Sequence, residues 1–205
     1  MNYRAAAALL SYPEAELIEA LPEIRAAVAQ PLRALVREME STPLTALQER
    51  YVELFDRSRA LSLHLFEHVH GESRDRGQAM VDLAQTYAAR GFAVAGNELP
   101  DYLPAFLEFV SVLPPEEATG MLGETADILR SLGDRLAERG SRYALVFSAL
   151  LAHAGEPGLT KRIADRPTPG EEASPAAIDK AWMDEPVNFM DGPQPVKFHA
   201  RGARP

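Results

Sequence analysis

The spacing of apolar side chains constrains this chain most. Up to about residue 155 they recur every third or fourth position, and no useful stretch alternates apolar and polar residues. A 3.6-residue period stacks such side chains on one helical face, whereas a half-buried strand needs period two. Leu44, Leu47, Tyr51, Leu54 and Phe55 form one stripe behind Thr42-Pro43, a pair with the chemistry of an N-cap and first-turn proline. Met80, Leu83, Ala84 and Tyr87 form a second, with Ser73 as candidate cap and Gly91 as stop. Met121, Thr125, Ile128, Leu129, Leu132 and Leu136 make a third, and Tyr143, Phe147, Leu150 and Leu151 a fourth. Helices of this length are marginal alone, so the stripes must be buried against one another. The expected fold class is all-α, a single helical-bundle domain.

Proline marks where the bundle is expected to end. Eight of the 16 prolines, from Pro157 to Pro205, follow residue 156. The reading is therefore a folded domain over 1–156 and a Pro-rich, largely disordered tail over 157–205, with a short helix at 175–183 carrying Ile178, Ala181 and Trp182 on one side. Charge divides at the same place. The whole chain carries 21 basic and 30 acidic side chains. Its first 155 residues are lysine-free and hold most of the negative excess, while the remainder is close to neutral. Such a body lacks the clustered cations that a phosphate backbone requires, so nucleic acid is not an expected partner, and basic or neutral partners are.

The absence of cysteine removes disulfides, thiolate nucleophiles and sulfur-ligated metals. The apolar run Ala5 to Leu10 is too short for a signal-peptide core and is followed by Pro13, Glu14 and Glu16, so it reads as a first core helix. The longest uncharged apolar segments, such as Tyr143 to Ala152, fall well short of the ~20 residues a bilayer requires. A cytoplasmic chain without membrane insertion is expected.

Two polar stretches interrupt the helical rhythm: 68–77, which alternates charge through Glu72, Ser73, Arg74, Asp75 and Arg76, and 97–104, punctuated by Pro100 and Pro104. Charged loops in a compact bundle are where function concentrates. His64-Leu65-Phe66-Glu67-His68 fits the letters H-x-x-E-H of a zinc-peptidase helix, which would put two imidazoles on one face with Glu67 as base; the alternative is a helix end whose imidazoles hydrogen-bond locally. A His/carboxylate metalloenzyme is thus one function class. A third ligand is required, and nothing singles out Glu124 or Glu138 for it. Glu98, Asp101 and Glu108 lie among Leu99, Leu103, Phe106, Leu107 and Phe109, a pattern that reads as an acidic rim on an apolar groove. Leu54 and Phe55 would complete that groove, which suits an amphipathic peptide bearing Lys or Arg.

The runs Tyr51 to Arg57, Ser62 to Leu63, Leu65 to Leu83 and Glu98 to Pro104, followed by Glu138 to Phe147 and more loosely Ala177 to Phe189, closely resemble the NarJ family of nitrate reductase assembly chaperones, often called delta subunits. The resemblance covers residues 1 to about 190. It implies an all-α protein related to the TorD and DmsD chaperones, with no catalytic residues, metal or cofactor of its own. Its implied partner is the N-terminal segment of the nitrate reductase catalytic (alpha) subunit, held for molybdenum-cofactor insertion before membrane attachment, with cofactor-delivery proteins as further partners. Together with the groove reading, it places client binding on Tyr51, Leu54, Phe55, Glu67, His68, His70, Glu72, Arg74, Asp75, Arg76, Glu98, Pro100, Asp101, Tyr102, Leu103 and Phe106. Family members can carry an apolar residue at the position of His64, which argues against the zinc motif. The wider chaperone family commonly continues the acidic-proline motif as Asp-His, whereas here Tyr102 follows Asp101. A persistent structural subunit of a membrane oxidoreductase is the remaining function class.

Overall fold

The computed structural model describes residues 2–71, 73–94, 96 and 98–163. Among them it forms ten α-helices and no strand: α1 (Tyr3–Leu10), α2 (Ala15–Ala27), α3 (Gln30–Glu40), α4 (Leu44–Tyr51), α5 (Leu65–Val69), α6 (Asp75–Ala88), α7 (Leu103–Val110), α8 (Pro115–Glu124), α9 (Ala126–Glu138) and α10 (Ala144–Ala154). No helix among the described residues is long and apolar enough to cross a membrane. The expected helix at 175–183 and Glu72 lie outside the described residues.

The centre is built from the two most apolar segments. In α7 six of eight residues are buried, among them Phe106 and Leu107. In α10 Val146, Phe147, Leu150 and Leu151 are all at zero exposure. Burying a Leu or Phe side chain contributes roughly 1.5–3 kcal/mol, so these helices contribute heavily to cohesion. α1 packs on α7, α9 and α8 on α10, α2 on α3, and α3 reaches α10. Gly133 permits the α9–α10 approach. A β-carbon there would lie 2.8 Å from that of Phe147 and 2.4 Å from Leu159 Cδ2.

Local chemistry explains the helix ends. Asn2 caps α1 through its side-chain oxygen, which accepts from the Ala5 amide at 3.1 Å. Gly91 ends the α6 region with φ at 69°, and the Phe92 amide returns to the Tyr87 carbonyl at 3.0 Å, a Schellman-type stop. Two stripes differ from their sequence reading. The 44–55 stripe leaves α geometry at Val52–Asp56, a π turn closed by the Arg57 amide on the Val52 carbonyl. Its helix begins one residue after Pro43, which is itself the cap, so Thr42 is not. The 121–136 stripe breaks at buried Thr125, whose hydroxyl donates to the Leu122 carbonyl at 2.9 Å. That bond competes with the continuous helical ladder, and Gly120 and Gly123 weaken the preceding turn. The chain beyond α10 remains seated on α9: Leu159 lies over Gly133, and the Thr160 and Lys161 amides donate to the Asp134 carboxylate.

Candidate functional site

Residues 62–66 and 98–103 are far apart in sequence but cross in an antiparallel clasp. The Leu103 amide donates to the Leu63 carbonyl at 2.8 Å and the Leu65 amide to the Asp101 carbonyl at 3.0 Å, with His64 and Tyr102 paired as an isolated bridge. At its centre Asp101 has zero exposure. One carboxylate oxygen accepts the Phe66 amide at 3.0 Å; the other accepts from His64 Nδ1 at 3.1 Å. His64 precedes α5 and gives it no side-chain cap, so Asp101 supplies the cap from the opposite segment. Arg76 Nη2 stands 3.9 Å from Asp101 and 3.3 Å from Glu67 Oε1, which partly compensates the buried charge.

The two histidines of the clasp have opposite electrostatics. His64 is raised from the ordinary 6.5 chiefly by its hydrogen bond to Asp101, against an opposing effect of burial. His68 is lowered, first by burial, and its Nε2 donates to the Ser62 carbonyl at 2.8 Å. His70 meets the Phe66 ring edge-on at 5.5 Å.

Three tyrosines frame the clasp. Tyr87 donates to the Pro100 carbonyl at 2.8 Å. Tyr51 lies between the Leu10 carbonyl, 2.9 Å from its hydroxyl, and the Tyr102 hydroxyl, 3.0 Å away. Tyr102 stacks against His64 with centroids 5.4 Å apart, and exposed Tyr12 abuts Tyr51 edge-on at 5.5 Å. Burial is the main cause that raises the Tyr51 and Tyr102 hydroxyls. The Tyr51 hydrogen bond works the other way on Tyr102, and the exposed carboxylates of Glu98 and Asp56 raise it further. Glu98 enters the turn closed by the Tyr102 amide on the Leu99 carbonyl, and Asp56 ends the π turn that follows Tyr51.

The structure thus gathers Tyr51, Glu67, His68, Arg76, Pro100, Asp101 and Tyr102 in one network. Glu98 and Leu99 are exposed beside it, whereas Arg74 and Asp75 are exposed at the start of α6. Three sequence expectations need correction. Asp101 is no rim acid, because its carboxylate is enclosed and spent on the clasp. Leu54, Phe55, Leu103 and Phe106 are buried core, so they do not line an open groove in this structure; helical apolar spacing marks burial without saying what covers it. His64 and His68 do not share a helical face, since His64 lies in extended backbone before α5, and each ring nitrogen described above is already bonded. Among the described residues no three His, Cys, Asp or Glu side chains could hold a metal. The resemblance includes Ser62 and the second stripe Tyr87, but the sequence assigns neither these nor Tyr12 a role at the site, because their roles depend on contacts across the fold.

Residues 21–149 match the family model described as nitrate reductase delta subunit. The chain is 41% identical over 196 residues to the nitrate reductase molybdenum cofactor assembly chaperone NarJ of Escherichia coli K12, covering 89% of this chain and 82% of that protein. It is 40% identical over 188 residues to NarW of the same organism, described as a probable chaperone of that kind, covering 89% and 81%. Its fold is similar to the crystal structure of an Archaeoglobus fulgidus protein described as a redox enzyme maturation protein, with a TM-score of 0.59 at 20% identity over 75% of this chain and 92% of the other.

Proposed function

The chain belongs to the nitrate reductase delta-subunit family, and from that premise we propose that it is a dedicated assembly chaperone of respiratory nitrate reductase. Its client is the catalytic (alpha) subunit, bound by its N-terminal segment in the cytoplasm while the molybdenum cofactor is inserted and before membrane attachment. The observation that carries this reading is the 41% identity to NarJ over 89% of the chain. The geometry supports a binding role. Clasp polar groups are engaged in structural bonds, and what they hold in place is a surface of Tyr102, His64, Leu99 and Glu98, with Asp56 on the π turn that follows Tyr51.

An apolar, basic client helix would set its apolar side on Leu99, Tyr12 and Tyr102, and its cations toward Glu98 and Asp56. Shielding that segment delays docking to the membrane until the cofactor is in place. The cofactor is the client's, delivered by proteins that meet the chaperone–client complex, and no residue here is assigned to hold it. Calorimetric titration with a synthetic peptide of the catalytic subunit's N-terminus tests the reading. Saturable heat at micromolar peptide is expected, and no heat at tens of micromolar rejects it.

A further inference from the structure

Around Tyr102 the surface is apolar and carries two carboxylates outside any ion pair of the described residues, with exposed Arg57 next to Asp56 in the chain. Tyr12 and Leu99 are 41% and 44% exposed. Neither Asp56 nor Glu98 has a hydrogen-bond or ion-pair partner among the described residues. This pattern calls for a basic segment with apolar side chains, and the chain contains one. Lys197, Arg201 and Arg204 lie with Val196, Phe198 and His199 in 196–205, and no acid follows Asp191. By contrast, the first 155 residues contain no lysine and more acids than arginines. Charge of one sign is thus concentrated on the body and of the other sign in this segment.

We propose that residues 196–204 dock in cis on the surface formed by Tyr12, Asp56, Glu98, Leu99 and Tyr102, as an internal competitor of the client. The idea rests on the proposed client reading only in assigning both segments to one surface. Reach does not limit it. The described chain ends at Ile163, packed against the core, and residues 164–195 could extend to ~100 Å, against a body ~40 Å across. Tethering puts the segment at a local concentration on the order of millimolar, so a few exposed charge pairs suffice to populate the contact. A client that binds the surface more tightly displaces it, and weaker basic segments are excluded, which gives selectivity without a new site.

The absence of cysteine supplies the test. Ala203→Cys introduces the chain's only thiol, and a nitroxide attached there broadens nearby amide signals in the full-length protein. Expected is broadening centred on Asp56, Glu98, Leu99 and Tyr102 with no client present, lost when Lys197→Glu, Arg201→Glu and Arg204→Glu are combined. Addition of the client peptide should relieve it, and the triple variant should bind that peptide about fivefold more tightly. Broadening that is absent, centred elsewhere, or seen only between separately labelled copies overturns docking in cis. Retained broadening in a saturated client complex overturns the competition. A client peptide that binds neither protein rejects the proposed function while leaving the spin-label result to decide the docking.

Discussion

Two carboxylates tie distant segments of this protein together, in different ways. Asp101 joins residues 62–66 to 98–103 from a position of zero exposure, chiefly through the Phe66 amide and the His64 ring. Glu38 joins α3 to α4 and to the start of α10 through Arg50 and Arg142, side chains that are 29% and 49% exposed. Glu38 itself is 10% exposed, so the contrast is one of degree: water reaches the Arg142 guanidinium freely and the Asp101 carboxylate not at all. An exposed ion pair contributes about 0–1 kcal/mol, whereas removal of one partner from a buried charged network costs about 3–5 kcal/mol. The clasp should therefore behave as part of the folding unit, and the Glu38 bridges as a weaker fastening.

The comparison breaks most readily at Asp101. Asp101→Ala strands the Phe66 amide and the His64 donor, so urea unfolding should show a loss of about 3 kcal/mol. Asp101→Asn keeps an acceptor for that amide and should lose about half as much. If Asp101→Ala unfolds like the parent, the clasp does not hold the structure. Glu38→Gln should cost about 1 kcal/mol, with the difference from the parent shrinking at high salt. An equal or larger loss than at Asp101 would reverse the ranking.

The pH dependence sharpens the contrast within the clasp itself. With His64 raised above 6.5, its charged ring favours the folded state. That contribution is complete well below 6.5 and fades as pH rises through the raised folded value. His68 is lowered, so the unfolded chain takes up its proton first and stability falls on acidification below 6.5. His64→Gln should therefore lose stability more steeply than the parent as pH falls from about 7 to 6, and His68→Gln less steeply, in urea midpoints taken across that interval. The smallest effect on folding is expected at Glu98, three positions from Asp101 and exposed. Glu98→Lys should unfold within about 0.5 kcal/mol of the parent yet weaken the client peptide about fivefold in calorimetry.

The contrast between Glu98 and Asp101 also shows what was legible in the sequence. Helical spacing was enough for the all-α class and for the helices marked by the named stripes, because periodic burial is a local property of the chain, but none of those stripes covers α2 or α3. Thr125 broke an apparently continuous stripe because its hydroxyl satisfies a carbonyl in the preceding turn, a choice the apolar pattern does not register. The resemblance picked out the segments that cross in the clasp, but not their geometry. Glu98 and Asp101 look alike in an acidic, proline-bearing run, and only a pairing with a segment more than thirty residues away distinguishes an enclosed helix cap from a surface acid. Leu103 and Phe106 posed the same problem in apolar form, since a groove lining and a core share one spacing.

The central claim is that the clasp presents the surface on which a client segment binds. Titration of the isotopically labelled full-length chain with the catalytic subunit's N-terminal peptide, followed by amide chemical shifts, tests it most directly. The largest shifts are expected at Asp56, His64 and residues 98–102, with little change around Glu38, Arg50 and Arg142. Saturable shifts centred on that second region, or none near Tyr102, would contradict it.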